Sequence, residues 1–210
     1  LEENEIQEYL QAGICPAGRV TRVEEQYRNL DTRIISGFDF SARYFVNSDY
    51  GNFNFIVNIS KLEKFRQKAG NDFIELIDAQ EKGIIPEELA ITGFSDLIEK
   101  DGSPKIQANF KFLWNRGSWG LGLFGRHIGE FYETRNKLSD GRLWKVKAYN
   151  TINTFIDYNF KISGSQSNLR FGINNIADER APLASDIFGY YIDKHDNLGR
   201  SYYINFIHRY

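Results

Sequence analysis

The sequence predicts an all-β protein, the wall of an antiparallel transmembrane β-barrel holding about seven or eight strands. Three observations carry this. Segment after segment alternates apolar and polar residues with a period of two, as a strand with two different faces must. Short polar turns alternate with long loops along the chain. Aromatic residues gather where strands meet the short turns. The mean hydropathy of −0.48 is compatible with this, because a barrel strand shows lipid only at every second residue. No run approaches the roughly 18 apolar residues that a transmembrane helix needs.

Taken in order, residues 34–47 place Phe38, Phe40, Ala42, Tyr44 and Val46 on one face and Gly37, Asp39, Ser41, Arg43, Phe45 and Asn47 on the other. A turn at 48–51 follows, and Phe53, Phe55, Val57 and Ile59 then alternate with Asn52, Asn54, Ile56, Asn58 and Ser60. Residues 105–115 repeat the pattern with Ile106, Ala108, Phe110, Phe112 and Trp114. A turn at 115–118 leads to Trp119, Leu121 and Leu123, whose strand continues to Arg126. Residues 151–162 set Ile152, Thr154, Ile156, Tyr158 and Phe160 against Asn153, Phe155, Asp157, Asn159 and Lys161. After a turn at 163–167, Leu169, Phe171 and Ile173 oppose Arg170, Gly172 and Asn174. The last strand places Tyr202, Ile204, Phe206, His208 and Tyr210 together, and a further strand is expected at 20–28.

Many of these strands run to about 10 residues, the length that crosses a hydrocarbon layer when tilted. Long loops fall at about 66–103, 135–147 and 177–198. In a membrane barrel the short turns are periplasmic and the long loops extracellular. Tyr44, Phe53, Trp114, Trp119, Tyr158, Phe160 and Tyr210 are expected to form an interfacial girdle. Within the first long loop, residues 72–80 have helical spacing, with Phe73, Ile74, Ile77 and Leu76 on one face and Pro86 as the stop.

The near-balanced formal charge of −2 argues against a nucleic-acid partner. With 0 Met and no export leader at Leu1-Glu2-Glu3-Asn4, the chain is expected to be the C-terminal piece of something longer. The single cysteine, Cys15, is either a free thiol or half of a loop disulfide. No catalytic constellation stands out, and the three histidines, His127, His195 and His208, match no metal motif. Lys194-His195-Asp196 reads as a solvated loop, and Glu24-Glu25 and Glu87-Glu88 read as exposed charge. No enzyme activity, cofactor or metal is expected.

Several segments resemble those of one family. Leu169-Arg170-Phe171-Gly172-Ile173 running into Asn174-Asn175-Ile176-Ala177-Asp178, with Pro182 soon after, is similar to the penultimate strand and turn of TonB-dependent outer-membrane receptors. Gly199-Arg200-Ser201-Tyr202-Tyr203 resembles the lead-in to their last strand. Tyr27-Arg28-Asn29-Leu30 followed by Ser36-Gly37-Phe38-Asp39, Pro104-Lys105 before a strand ending in Trp114, and Gly125-Arg126-His127-Ile128-Gly129 fit the same pattern more loosely. Asn205, His208 and Tyr210 depart from the residues commonest in that closing strand.

The resemblance implies a location in the outer membrane of a Gram-negative bacterium and a barrel of roughly 22 strands, of which this chain would be the C-terminal part. It implies a plug domain and TonB-contacting segment elsewhere in the protein, and energised uptake of a siderophore, vitamin or oligosaccharide. Outer-membrane lipid, the TonB complex, the outer-membrane assembly machinery and an extracellular small molecule are the partners it implies. Ile204, Phe206, His208 and Tyr210 would form the terminal strand used in assembly. Arg126, Glu130 and Tyr132 are the candidate solute contacts, expected on the lumen face toward the extracellular end of one strand. A passive porin-like barrel and a soluble β-sandwich are the rival readings. The sandwich predicts that the apolar faces are buried within one chain. The barrel wall predicts that the first strand is an open edge.

Overall fold

A computed structural model describes residues 31–87 and 89–209, together with Asn4, Gln7, Glu8, Gln11 and Arg22. The chain divides into two compact units, Leu1–Leu30 and Asp31–Tyr210. In the first, Asn4, Gln7, Glu8 and Gln11 are helical. Cys15, Tyr210 and, apart from Arg22, the strand expected at 20–28 lie outside the described residues.

The second unit runs β1 (Arg33–Ser48), β2 (Gly51–Gln67), α1 (Asn71–Glu81), β3 (Ser95–Asp96), β4 (Ile106–Arg116), β5 (Trp119–Ile128), β6 (Phe131–Lys137), β7 (Leu143–Val146), β8 (Tyr149–Ile162), β9 (Ser165–Asn174) and β10 (Ser201–His208). One antiparallel sheet has the order β1-β2-β4-β5-β8-β9-β10, with β3 added to β2. The strands β6 and β7 form a separate hairpin. Among the described residues, β1 pairs only with β2 and β10 only with β9, so the sheet is not closed. Among the described residues the first strand is thus paired on one side only.

The register carries each sequence face straight across the sheet. Val46, Phe53, Trp114, Leu121, Ile156, Phe171 and Ile204 stand opposite one another in one row. Phe40, Ile59 and Ala108 belong to another row of the same face. These side chains are open: Phe40 is 57% exposed, Ile156 43% and Ile204 74%. An apolar face this broad, uncovered on a soluble chain, would be far larger than the few hundred Å² usually tolerated. The sandwich reading fails here, because no described layer covers that face.

The opposite face is polar and hydrogen-bonded along its rows. Ser41 Oγ donates to Asn58 Oδ1 (2.8 Å), and Asn58 Nδ2 donates to Asn109 Oδ1 (2.8 Å). Asn52 Nδ2 donates to Asn115 Oδ1 (3.0 Å) and Asn168 Nδ2 to Asn159 Oδ1 (2.9 Å). Arg170 forks onto Asp157 with Nε and a terminal nitrogen at 2.6 and 2.8 Å, and its guanidinium lies 3.7 Å from the centre of the Phe155 ring. Asp39 accepts from Ser60 Oγ (2.5 Å), so it serves the wall rather than a free site.

Glycines let aromatic rings lie flat on this wall. A Cβ on Gly122 would occupy the Phe155 ring, one on Gly172 the Tyr203 ring, and one on Gly125 the Phe110 ring. This is the aromatic covering of strand glycines that curved sheets use.

The expected girdle residues that are described, Tyr44, Phe53, Trp114, Trp119, Tyr158 and Phe160, all lie on the apolar face near the short turns. Trp119 and Tyr158 meet at 4.6 Å with their rings tilted by 50°, and Phe160 meets Phe206 at 6.4 Å. Trp114 Nε1 donates to the Tyr50 carbonyl (2.9 Å), joining the first turn to the second.

Three expectations need correction. The strand expected to end near Ser60 runs on to Gln67, because a bulge lies opposite Ser36 and Gly37. The extra residue, Glu63, reverses the face of everything after it, so Lys64 and Arg66 point outward where Ile59 did. This ends the apolar belt. The loop helix expected at 72–80 forms as Asn71–Glu81, with Gly83 at φ +72°, but its expected apolar face is not buried as one. Its Phe73 packs on Phe94 of its own connection (5.3 Å), while Ile74 and Leu76 stay exposed. Finally, the loop expected at 135–147 is largely the β6–β7 hairpin.

Candidate functional site

The four fully buried large side chains are Ile128, Phe131, Val146 and Tyr149, and all lie where the β6–β7 hairpin joins β5 and β8. The wall keeps its apolar groups outward, so the only conventional core among the described residues is built at the end with the long connections. Hydrophobic burial there fixes loops rather than strands.

Three connections are tied into that core. From 68–105, Asp101 accepts from Thr134 N (2.9 Å) and Thr134 Oγ1 (2.6 Å), while Tyr132 N donates to the Glu99 carbonyl (2.8 Å). From 175–200, Ser185 N donates to Glu133 Oε1 (2.8 Å) and Asn136 Nδ2 donates to Ser185 Oγ (2.6 Å). Trp144 Nε1 donates to the Leu183 carbonyl (2.9 Å). Glu133 is buried at the centre of this net. Beside it, burial and the Glu133 carboxylate push the Tyr191 hydroxyl up to about 12, so that it stays protonated. Between the connections a cavity of about 380 Å³ is lined by Asp101, Glu133, Arg135, Asp186 and Tyr191.

The Asn174-to-Asp178 segment, conspicuous in the sequence, is a staple. Asn175 Nδ2 donates to the Glu179 carbonyl (2.7 Å) and Asn175 Oδ1 accepts from Glu179 N (3.0 Å). Asn175 N donates to Asn153 Oδ1 (2.7 Å), anchoring the turn to β8. Asp178 Oδ1 accepts from Arg200 N (2.7 Å), which holds the Asp178 carboxyl below the usual carboxylate range. The two ends of the 175–200 connection are thereby closed on each other. Gly199 sits at φ +76°, and a Cβ there would meet Asp178 Oδ1 at 2.6 Å and Arg180 Cζ at 2.7 Å. Gly199→Ala is expected to cost about 1–3 kcal/mol of local stability, read as faster amide exchange in 175–200 with β8 unchanged.

The sequence candidates separate. Arg126 lies on the polar face of β5, opposite Asn109 and Thr151. It lines a cavity of about 280 Å³ with Tyr149, Asn153, Asn174 and Asp196, partly closed by Leu198 and Gly199. Glu130 and Tyr132 are elsewhere, which corrects the expectation of one strand. The strand β5 ends at Ile128, and Tyr132 belongs to β6. Lys145 bonds Glu130 (2.7 Å), lies over the Tyr132 ring (5.9 Å), and is held above its ordinary pKa chiefly by that carboxylate. In the terminal strand, Ile204 and Phe206 face outward, and His208 Nδ1 bonds Ser167 Oγ (2.9 Å).

His195 is the residue that sequence reading placed wrongly. It is 4% exposed, not solvated. Its ring stacks on Phe131 (6.1 Å, 2°) and meets Tyr149 edge-on (5.2 Å). Neither ring nitrogen has a hydrogen-bond partner among the described residues. Burial, then the nearby Arg126 and Lys194 cations, lower its pKa to about 4. Because the folded value lies below the ordinary 6.5, the packing is held in full above about pH 6.5 and lost progressively as pH falls toward 4. Going from pH 7 to pH 5 should weaken the attachment of 175–200 by on the order of 1–2 kcal/mol. His195→Phe should remove that dependence. Amide exchange at the two pH values, corrected for intrinsic rates, checks both; equal acid sensitivity in the variant would contradict this assignment.

A single twisted wall, apolar outside and polar inside, with short turns at one end and packed long loops at the other, defines a transmembrane β-barrel of the outer-membrane type. The sequence agrees with that class in detail. Residues 3–176 match the family described as TonB dependent receptor-like, beta-barrel, and the chain belongs to this family. No curated protein matches the chain. The last strand, β10, lies beyond the matched residues yet continues the same ladder on β9. The family is one of outer-membrane receptors and transporters.

Among the described residues no group of three or more His, Cys, Asp or Glu side chains could hold a metal ion.

Proposed function

We propose that this chain is the C-terminal part of the barrel of an outer-membrane receptor in a Gram-negative bacterium. The receptor takes up a scarce solute with energy delivered through TonB. The supporting observation is the coincidence of an outward apolar belt with long connections consolidated at one end above a polar wall. With the short turns periplasmic, that consolidated end faces the medium. The Arg126 cavity then opens to the upper lumen, where an incoming solute meets the barrel. Glu130 and Tyr132, held by Lys145, lie apart from that cavity at the base of the β6–β7 hairpin. The plug and the TonB-contacting segment belong to other parts of the receptor. Ile204, Phe206, His208 and Tyr210 present the strand read by the assembly machinery.

The test is uptake in the source strain. Deleting the gene should abolish growth on one limiting siderophore, vitamin or oligosaccharide, and deleting the TonB function should do the same with the receptor still in the outer membrane. Uptake that persists without TonB would favour a passive pore and sink the energised reading.

A further inference from the structure

We propose that the cavity around Arg126 is an oxyanion subsite, binding a carboxylate or phosphate group of the solute. The inference rests on the receptor reading above, and its support is an imbalance of hydrogen-bonding groups. The acceptors that line the cavity are largely occupied. Asn153 Oδ1 takes Asn175 N (2.7 Å), Ser201 Oγ takes Asn174 Nδ2 (3.2 Å) and Asp196 Oδ1 takes Leu198 N (2.9 Å). The donors are not. The Arg126 guanidinium has no ion pair or hydrogen bond among the described residues, and the same holds for the Asn153 amide nitrogen and the Thr151 hydroxyl. Ser201 retains its hydroxyl proton as a further donor.

The charged and polar groups thus present N–H and O–H to one space of about 280 Å³. A guanidinium's planar fork matches two oxygens of one anion. The second carboxylate oxygen of Asp196 and the side-chain oxygen of Asn174 are acceptors left open, and Asp196 makes no ion pair with Arg126. The cavity floor is fixed by β5 and β8 in register, opposite Thr151. Its roof is fixed by the Asn175–Asp178 staple and by the Tyr149 hydroxyl, which donates to the Asp196 carbonyl (2.6 Å). Donors held in place by neighbours need little reordering when an anion arrives.

The experiment uses the full receptor in detergent with citrate as the probe. Titration calorimetry of wild type, Arg126→Gln and Arg126→Lys is compared with titration of trimethyl citrate, which carries no charge. Citrate should bind wild type, at least ten-fold more weakly to Arg126→Gln, and to an intermediate degree to Arg126→Lys; the ester should not bind. Equal citrate affinity in wild type and Arg126→Gln overturns the subsite, as does ester binding equal to citrate. The oxyanion could instead come from an Asp or Glu elsewhere in the receptor. Wild type would then ignore citrate while Arg126→Gln melts earlier, which also overturns a solute subsite. Each of these failures leaves TonB-dependent uptake intact, whereas failure of the receptor reading removes uptake itself.

Discussion

Ile156→Arg is expected to cost about 2–4 kcal/mol of barrel stability and to reduce the amount of receptor recovered in the membrane. Ile156 stands in the middle of the outward face of β8, between Leu121 and Phe171 across the ladders. It is 43% exposed. In water that exposure would make the site tolerant, because exposed substitutions usually change stability by no more than about 0.5 kcal/mol. In lipid the guanidinium must be desolvated or must drag water and headgroups inward. The same change on the other face should be far milder. Asn109→Lys on β4 loses the bond from Asn58 (2.8 Å) and places its charge on the polar side, so about 1 kcal/mol is expected. Urea unfolding from lipid vesicles, with recovery of the folded band on unheated gels, measures both. Equal losses would mean that the two faces do not meet different solvents.

Phe131→Ala is expected to cost about 3–5 kcal/mol, concentrated in the loops. Phe131 is 0% exposed and ties β7 to the 175–200 connection. It pairs with Val146 on β7, meets Tyr191 edge-on at 5.0 Å, and stacks on His195 at 6.1 Å. Removing the ring opens a cavity that the hairpin cannot close, since Glu133 beyond it is pinned by Ser185 and Asn136. The connections 129–148 and 175–200 should gain rapid amide exchange and protease sensitivity. The strands should stay protected, because their ladders do not pass through Phe131. Phe40→Ala, a ring 57% exposed on the outward face of β1, is the contrast and should leave the loops unchanged. Loss of strand protection in Phe131→Ala would show that the cap and wall fold as one unit.

The wall was legible because a membrane strand repeats one simple rule. Residues 38–46, 53–59, 106–114 and 152–160 each keep the alternation apart from one apolar residue on the polar side (Phe45, Ile56, Leu113 and Phe155) and Thr154 on the apolar side, and alternation sets the face of every side chain. The upper third of β2 was not legible. There Lys61-Leu62-Glu63-Lys64-Phe65-Arg66-Gln67 is charged, and the bulge at Glu63 breaks the phase that identified the rest. The β6–β7 hairpin was hidden for another reason. Its buried positions are Phe131, Glu133 and Val146, too few and too mixed to form a pattern, and the ring partners of Phe131, Tyr191 and His195, are distant in sequence. Lys194-His195-Asp196 reads as solvated loop because nothing local reports that Phe131 and Tyr149 enclose the ring.

The same contrast runs through the site. Arg126 could be placed on the polar face by counting in twos from Leu121. Glu130 and Tyr132 continue that count, but the strand ends at Ile128, and beyond it parity carries no information. Asn175 and Asp178 were visible as a family signature. Their work in closing the 175–200 connection becomes clear only when Arg200 and Gly199 return beside them.

Strand β8 separates lipid from a wet interior. Nitroxide labels placed singly at 152–159, in the full receptor with Cys15 replaced by serine and reconstituted in vesicles, test it most directly. Collision with oxygen should peak at 152, 154, 156 and 158, and collision with a water-soluble nickel chelate should be higher at 153, 157 and 159. Absence of that two-residue alternation, or nickel access at 156 equal to that at 157, would contradict it.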